Sequence, residues 1–273
     1  MLPRGSQRAQ PAAIAAAIAC ATIVGVGISL TVPLLSLEMD RMGVSKGTIG
    51  VNTAVSGVAS IVAVPFVPRL AARYGVLPLL WGCVAVAALT LVGFKVFFGL
   101  AWWFGIRFVF AAALGVLFVL SEFWINAAAP PDRRGFVMGL YATVLALGLA
   151  AGPVVLAAVG TSGWPPYLAG AGLFALGALP LLFAGGITPA VELGAGRSTL
   201  SFLAAAPAAT LAALVFGAIE TGAYALLPVY GLAVGFATEQ AALLVSAAAL
   251  GNVVCQIPIG LLSDRVDRRR VLL

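Results

Sequence analysis

Three charged side chains stand deep inside apolar runs of this sequence. Arg107 and Glu122 share one run, GIRFVFAAALGVLFVLSEFWIN (105–126), and Glu220 sits in another, FGAIETGAYALLPVY (216–230). A charge facing lipid near the middle of a bilayer costs about 2.5–3.5 kcal/mol by insertion scales, so such residues face protein or a wet path and mark ion or substrate sites. The chain has no histidine. Proton carriage would therefore fall to carboxylates, and a desolvated carboxyl holds its proton to higher pH than one in water. Glu220, the only charge in its run, is the first candidate to bind proton or substrate. The plainer alternative is a structural Glu bonded to Tyr224, one helical turn on, or to a partner elsewhere. Arg107 is suited to hold an anionic substrate, to modulate a nearby carboxylate, or simply to pack against backbone carbonyls. Glu122 either lines a cavity or pairs with Arg73, Arg133 or Arg134 near the membrane surface.

The elements that must position these residues are membrane helices. Apolar residues make up 62% of the chain and charged ones 9%, against about 45–50% and about 25% in soluble domains. Gly, Pro and charge punctuate eight apolar runs, near 12–37, 48–67, 76–95, 100–127, 136–160, 165–186, 202–234 and 239–262. Each is long enough to cross a bilayer as a helix with its backbone groups bonded internally. No alternating strands of a membrane barrel are visible. In the fourth run Arg107 and Glu122 are about 22 Å apart along the axis and about 60° apart around it. They cannot pair, but the stripe Arg107, Ala111, Gly115, Phe118, Glu122 should face the bundle interior. Asn52, Asn126, Asn252 and Gln256 read first as glue between helices.

A net charge of +6 does not indicate nucleic acid, because the basic residues lie in short loops without a basic face. They indicate orientation. With the N-terminus in the cytoplasm, inner segments carry eleven bases: Arg4, Arg8, Arg69, Arg73, Arg133, Arg134, Arg197, Arg265, Arg268, Arg269 and Arg270. Outer loops carry three, Arg41, Lys46 and Lys95; the excess is the positive-inside pattern. The first apolar run continues to Leu37, too far for a signal-peptide core. Cys20, Cys83 and Cys255 show no metal or redox spacing. With no histidine, no paired cysteine and no acidic pair at ligand spacing within a span, an intramembrane enzyme is not expected, nor is a cofactor or metal.

The stretch ITPAVELGAGRSTL (187–200) is the longest polar break and follows the sixth run. Gly43–Gly75, shifted by 192 residues, lands on Gly235–Asp267, with Leu70 over Leu262 and Arg73 over Arg265. A six-helix unit that restarts after a linker suggests a transporter built from parallel repeats. The restart ends on GLLSDRVDRRR (260–270), six of whose eleven residues are charged. This stretch resembles the loop signature of the major facilitator superfamily, with Gly260, Asp264, Arg265, Arg268 and Arg269 matching and Asp267 in place of a second Gly. The first copy, PRLAARYG (68–75), keeps Arg73 and Gly75 but has Pro68 and Ala72 where the signature has Gly and Asp. In the fifth run, Gly139, Gly148, Gly152 and Pro153 resemble the glycine/proline motif of that superfamily's drug:proton antiporters, although Leu156 and Ala157 stand where two further glycines are usual. Gly148 and Gly152 also form a small-xxx-small pair that permits close helix contact. SEFWIN (121–126) and ETGAYALLPVY (220–230) resemble a poorly characterised bacterial branch of the same superfamily.

The resemblance implies an all-α polytopic fold of two six-helix bundles around a central cavity. Here it would comprise an N-terminal bundle (1–186), a cytoplasmic linker (187–200), and two helices and a loop of a second bundle (201–273). The chain is expected to be truncated after its eighth helix. The implied function is secondary transport by alternating access, proton-coupled and exporting small amphiphilic molecules. Uptake of a sugar or metabolite, or a non-transporting truncated membrane protein, is the alternative. Implied partners are a small-molecule substrate, protons and the lipid bilayer, with the complete protein a monomer in the bacterial cytoplasmic membrane. Glu220, Glu122, Arg107 and Tyr224 would serve coupling or substrate binding. The signature loops would latch helices on the cytoplasmic side.

Overall fold

The computed structural model describes residues 10–130, 133–184, 189 and 207–265, with residues 135, 208, 209, 213, 252, 253 and 255–265 described as backbone. Eight helices follow one another: α1 (Gln10–Arg41), α2 (Lys46–Tyr74), α3 (Val76–Val96), α4 (Leu100–Ala128), α5 (Arg134–Val159), α6 (Pro165–Phe183), α7 (Pro207–Ala233) and α8 (Thr238–Arg265). Over the described residues, the first seven are long and apolar enough to cross a membrane. No strand occurs among the described residues. Side chains such as Ile61, Leu89, Leu182 and Phe183 point outward, as expected where the surrounding solvent is hydrocarbon. Phe97, Phe98, Trp102 and Trp164 are exposed at the helix ends shared by the α3–α4 and α5–α6 connections, the level at which aromatic side chains favour a membrane interface.

Helix α1 is apolar all round, the mark of a helix enclosed on every side. It packs against α2, α4, α5, α6, α7 and α8. Its buried hydroxyls are satisfied at once: Thr31 donates to the Gly27 carbonyl at 2.6 Å and Ser36 to that of Val32 at 2.8 Å. The contact with α5 is the closest. A Cβ on Gly25 would lie 2.6 Å from the Leu145 carbonyl oxygen, and one on Gly148 would lie 3.2 Å from Gly25 Cα. A Cβ on Gly152 would run into Ser29 Oγ and the Leu30 amide. Ser29 then donates across the contact to the Gly148 carbonyl at 3.0 Å. The pair Gly148/Gly152 thus meets a second small-xxx-small pair, Gly25/Ser29. Gly139 does not share this contact, since a Cβ there would meet nothing within 4 Å.

Both ends of α1 are tied down. Gln10 Nε2 donates to the last carbonyls of α4, at Ala128, 2.8 Å away. At the other end Arg41 donates to the carbonyl (2.6 Å) and hydroxyl of Thr161, and lies 3.7 Å from buried Glu38. Asp40 pairs with Lys46 across the α1–α2 turn. A second layer forms where α7 and α8 meet this frame. Val32 of α1, Ala150 of α5, Tyr224 and Ala225 of α7, and Val245 and Ala249 of α8 make one buried apolar cluster. Ser246 of α8 donates to the Ala150 carbonyl at 2.7 Å.

The stretch 68–75 differs from its sequence reading. It is not a loop: α2 passes through a single 3₁₀ turn at Val64–Phe66 and continues as helix to Tyr74. Pro65 and Pro68 lack the N–H groups that would sustain the regular ladder, so the helix tightens there and resumes. Gly75, at φ +84°, makes the break to α3 in one residue. Arg73 therefore rides on a helix end and lies 5.3 Å over the Tyr74 ring.

Alanine at Gly152 should destabilise the protein by about 1–3 kcal/mol, the usual range for overpacking. At Gly139 it should be neutral or stabilise by up to about 1 kcal/mol through helix propensity. Thermal unfolding midpoints of the two variants in detergent separate these outcomes, and equal shifts would contradict the α1–α5 contact described above.

Candidate functional site

A cavity of about 740 Å³ opens between α1, α2, α4, α5 and α7. Small residues make room for it: Gly50 and Gly57 on α2, Gly115 on α4, and Gly217 and Gly222 on α7. Its walls are otherwise mostly aliphatic and aromatic, with hydroxyls from Thr31, Thr53, Ser56, Ser60 and Thr221. Several of these hydroxyls spend their protons on their own helices. Thr53 donates to Ile49 at 3.0 Å, Ser60 to Ser56 at 3.1 Å, and Thr31 to Gly27.

Arg107 is the one charged residue in the lining among the described residues. It is 2% exposed. Nε donates to Ser56 Oγ at 3.2 Å and Nη1 to Asn52 Oδ1 at 2.9 Å. Asn52 and Ser56 are four residues apart, so α2 presents both acceptors on one face. The guanidinium carries five N–H donors, and these two bonds leave three to spare. No carboxylate pairs with Arg107 among the described residues. Asn52, fully buried, keeps an Nδ2 group without an acceptor among the described residues. Packing supports the arrangement, since Gly115 lets α2 approach α4: a Cβ there would lie 3.2 Å from Ser60 Oγ.

The α4 stripe divides. Arg107, Ala111, Gly115 and Phe118 line the cavity, but Glu122 does not and is exposed. Glu122 keeps the stripe's angular position but lies a turn, about 6 Å, beyond Phe118, the last α4 residue on the wall, and so stands past that end of the cavity. Glu122 makes no ion pair with Arg73, Arg133 or Arg134 among the described residues. Arg134 instead reaches Asn126 Oδ1 at 3.0 Å, and Asn126 Nδ2 donates to the Glu122 backbone carbonyl at 2.8 Å.

Helix α7 turns Gly217, Ala218, Thr221, Gly222, Ala225 and Leu226 toward the cavity. Glu220 lies on its flank, half-buried, and outside the lining. Tyr224 donates to Glu220 Oε1 at 3.4 Å, while the Tyr224 ring is packed in the cluster shared by α1, α5, α7 and α8. Arg107 and Glu220 therefore stand on different surfaces, one on the cavity wall and one behind it. Of the signature-loop residues, Arg73 and Gly75 stand at the end of α2. Gly260, Asp264 and Arg265 are described only as helical backbone, and Arg268 and Arg269 lie outside the described residues, as do the side chains of Asn252, Cys255 and Gln256. The linker 187–200 lies outside them too, save residue 189. Among the described residues no group of three or more His, Cys, Asp or Glu could hold a metal. Cys20 and Cys83 are buried and unpaired by a disulfide.

Sequence reading missed the role of Ser56 and the glycines of α2 and α7. The spacing Asn52, Ser56, Ser60 was a legible signal, because three polar residues at intervals of four form one stripe on a helix in an apolar setting.

Known proteins agree with this architecture. The sequence profile of the Major Facilitator Superfamily matches residues 17–273. The chain is 26% identical over 259 residues to the uncharacterized MFS-type transporter YfkF of Bacillus subtilis (strain 168), covering 92% of this chain and 66% of that protein. Over 134 residues it is 29% identical to the multi-drug resistance efflux pump PmrA homolog of Lactococcus lactis subsp. lactis (strain IL1403), covering 48% of this chain and 33% of that one. Among solved structures, the nucleoside transporter NupG superposes with a TM-score of 0.72 at 14% identity, covering 93% of this chain and 68% of NupG. A bacterial homolog of the human lysosomal transporter Spinster gives 0.72 at 16% identity, covering 97% and 64%. The chain thus spans about two thirds of YfkF and less of the efflux pump homolog. With that match and its stack of membrane-length helices, the chain is a multi-pass membrane protein of the major facilitator superfamily.

Proposed function

We propose that this protein moves small amphiphilic molecules out across the bacterial cytoplasmic membrane by alternating access, in exchange for protons. The observation that carries the reading is the cavity: apolar walls, a few hydroxyls and one buried Arg107, set among five helices. Such a site suits a ligand with an apolar body and one polar end. The export direction is supported by the helix-five motif and the likeness to an efflux pump homolog. The N-terminus is assigned to the cytoplasm on the eleven-to-three distribution of basic residues. Residues 1–186 form the first bundle in this reading, 187–200 the linker, and 201–273 the part of the second bundle present here, with the complete protein working as a monomer. No step of this work requires enzyme chemistry.

Glu220 is the proton carrier in this scheme, and Tyr224 is its link to motion. A carboxylate accepts the Tyr224 hydroxyl proton more strongly than a neutral carboxyl does. Because the Tyr224 ring belongs to the cluster joining α7 and α8 to α1 and α5, a change in that bond is felt where the helices must rock. Arg107 binds substrate at the cavity wall. Glu122, off the cavity, serves the coupling as a second proton site near the cytoplasmic ends of the helices.

Two experiments test these roles. In proteoliposomes of the whole protein with an imposed pH gradient, Glu220→Gln should abolish gradient-driven accumulation of a fluorescent amphiphile, and Tyr224→Phe should shift its pH dependence. Accumulation by Glu220→Gln with the wild-type pH profile would remove the proton role. In a cysteine-free background, Ala218→Cys and Thr221→Cys should react with a charged, water-soluble thiol reagent, whereas Ile219→Cys, directed outward, should not. Equal labelling of all three would count against the cavity as a solvent-filled path.

A further inference from the structure

We propose that the cavity selects anions: its ligand is an amphiphile with a carboxylate or sulfonate end seated on Arg107 and Ser56. The inference rests on the transport reading for its setting, but not for its chemistry. Arg107 is the only charge on the wall and has no carboxylate partner among the described residues. An isolated cation in a low-dielectric cavity is costly, and an incoming anion supplies the missing charge.

The geometry is suited to receive it. Ser56 and Asn52 hold Nε and Nη1 of Arg107, which fixes the plane of the guanidinium and leaves three N–H donors over. Ser56 accepts from Arg107 but donates no hydrogen bond of its own among the described residues, so its O–H is a further donor at the same spot. Charge-assisted bonds from Arg to a carboxylate are shorter and stronger than neutral ones and add geometric selectivity. Neutral ligands forgo this, and a cationic amphiphile is repelled by the same group. Toward the rest of the ligand the walls offer Val24, Ile28, Phe110, Leu114 and Phe118.

Three probes of one shape decide the matter: 4-tert-butylbenzoate, 4-tert-butylbenzamide and 4-tert-butylbenzylammonium. Binding of each to the purified full chain in nanodiscs is measured by calorimetry, with empty nanodiscs to subtract partitioning into lipid. The benzoate should bind saturably and at least about tenfold more tightly than the other two, the gap expected for a charge-assisted bond. Arg107→Gln should erase that preference and Arg107→Lys should keep part of it. Equal affinity for the three probes, or benzoate binding unchanged in Arg107→Gln, would overturn the inference. If Arg107→Gln fails to fold, the wild-type ranking of the probes alone decides. Benzoate binding without movement in proteoliposomes would remove transport and leave anion selection standing. Movement of the cation with no preference for benzoate would do the reverse.

Discussion

The structure depends on one place where two backbones touch. Gly25 and Ser29 of α1 lie directly on Gly148 and Gly152 of α5, with no side chain between them except the serine hydroxyl that bonds to Gly148. In lipid the hydrophobic effect does not press helices together, so close van der Waals contact and hydrogen bonds between helices must hold them. With α1 fixed against α5, all the other helices but α3 pack against α1, whose every face is apolar, and α3 packs against α4 and α6. Its two ends are then pinned, by Gln10 on α4 and by Arg41 on Thr161.

That close approach also explains the space elsewhere. A pair of helices in backbone contact draws the bundle tight on one side, and the glycines of α2, α4 and α7 keep the other side from filling. What remains is a volume with one buried guanidinium in its wall. Its bonds to Asn52 and Ser56 make it affordable there, and its spare donors keep it available. Polar groups inside this protein are mostly arranged this way, with hydroxyls folded back on their own helices and carbonyls met by a neighbour's hydroxyl.

Much of this was legible from residue types. The eight helices followed from apolar length with Gly, Pro and charge as punctuation, and the α4 stripe placed Arg107, Ala111, Gly115 and Phe118 together because helical periodicity carries over a few turns. Periodicity fixes direction and not depth. Glu122 shares the stripe's angular range but stands a turn beyond the end of the cavity, and a charge near a helix end has the surface within reach. Glu220 stood out for its charge, but sequence cannot say which face of α7 looks inward; that depends on what the glycines at 217 and 222 leave open. The helix-five glycines announced a close contact without naming the partner, since Gly25 and Ser29 are ordinary residues until α5 is laid against them. The end of α2 was misread because prolines and arginines suggest a loop. A helix tolerates both when the prolines cost it a single 3₁₀ turn.

The two sides of α5 grip their neighbours in different ways. On the α1 side the lock is steric: Ser29 sits over glycines, and a shift along the axis would drive it into a residue with a Cβ. On the α8 side the hold is a serine hydroxyl on the Ala150 carbonyl and a patch of Ala and Val. A hydroxyl is not bound to one acceptor, but the next carbonyl on the same face of a helix lies a full turn, about 5–6 Å, further along. Helix α5 is therefore keyed to α1 by shape and tied to α8 by a single hydrogen bond across an apolar patch. Any parting of these contacts breaks interlocked backbones on one side and a replaceable bond on the other.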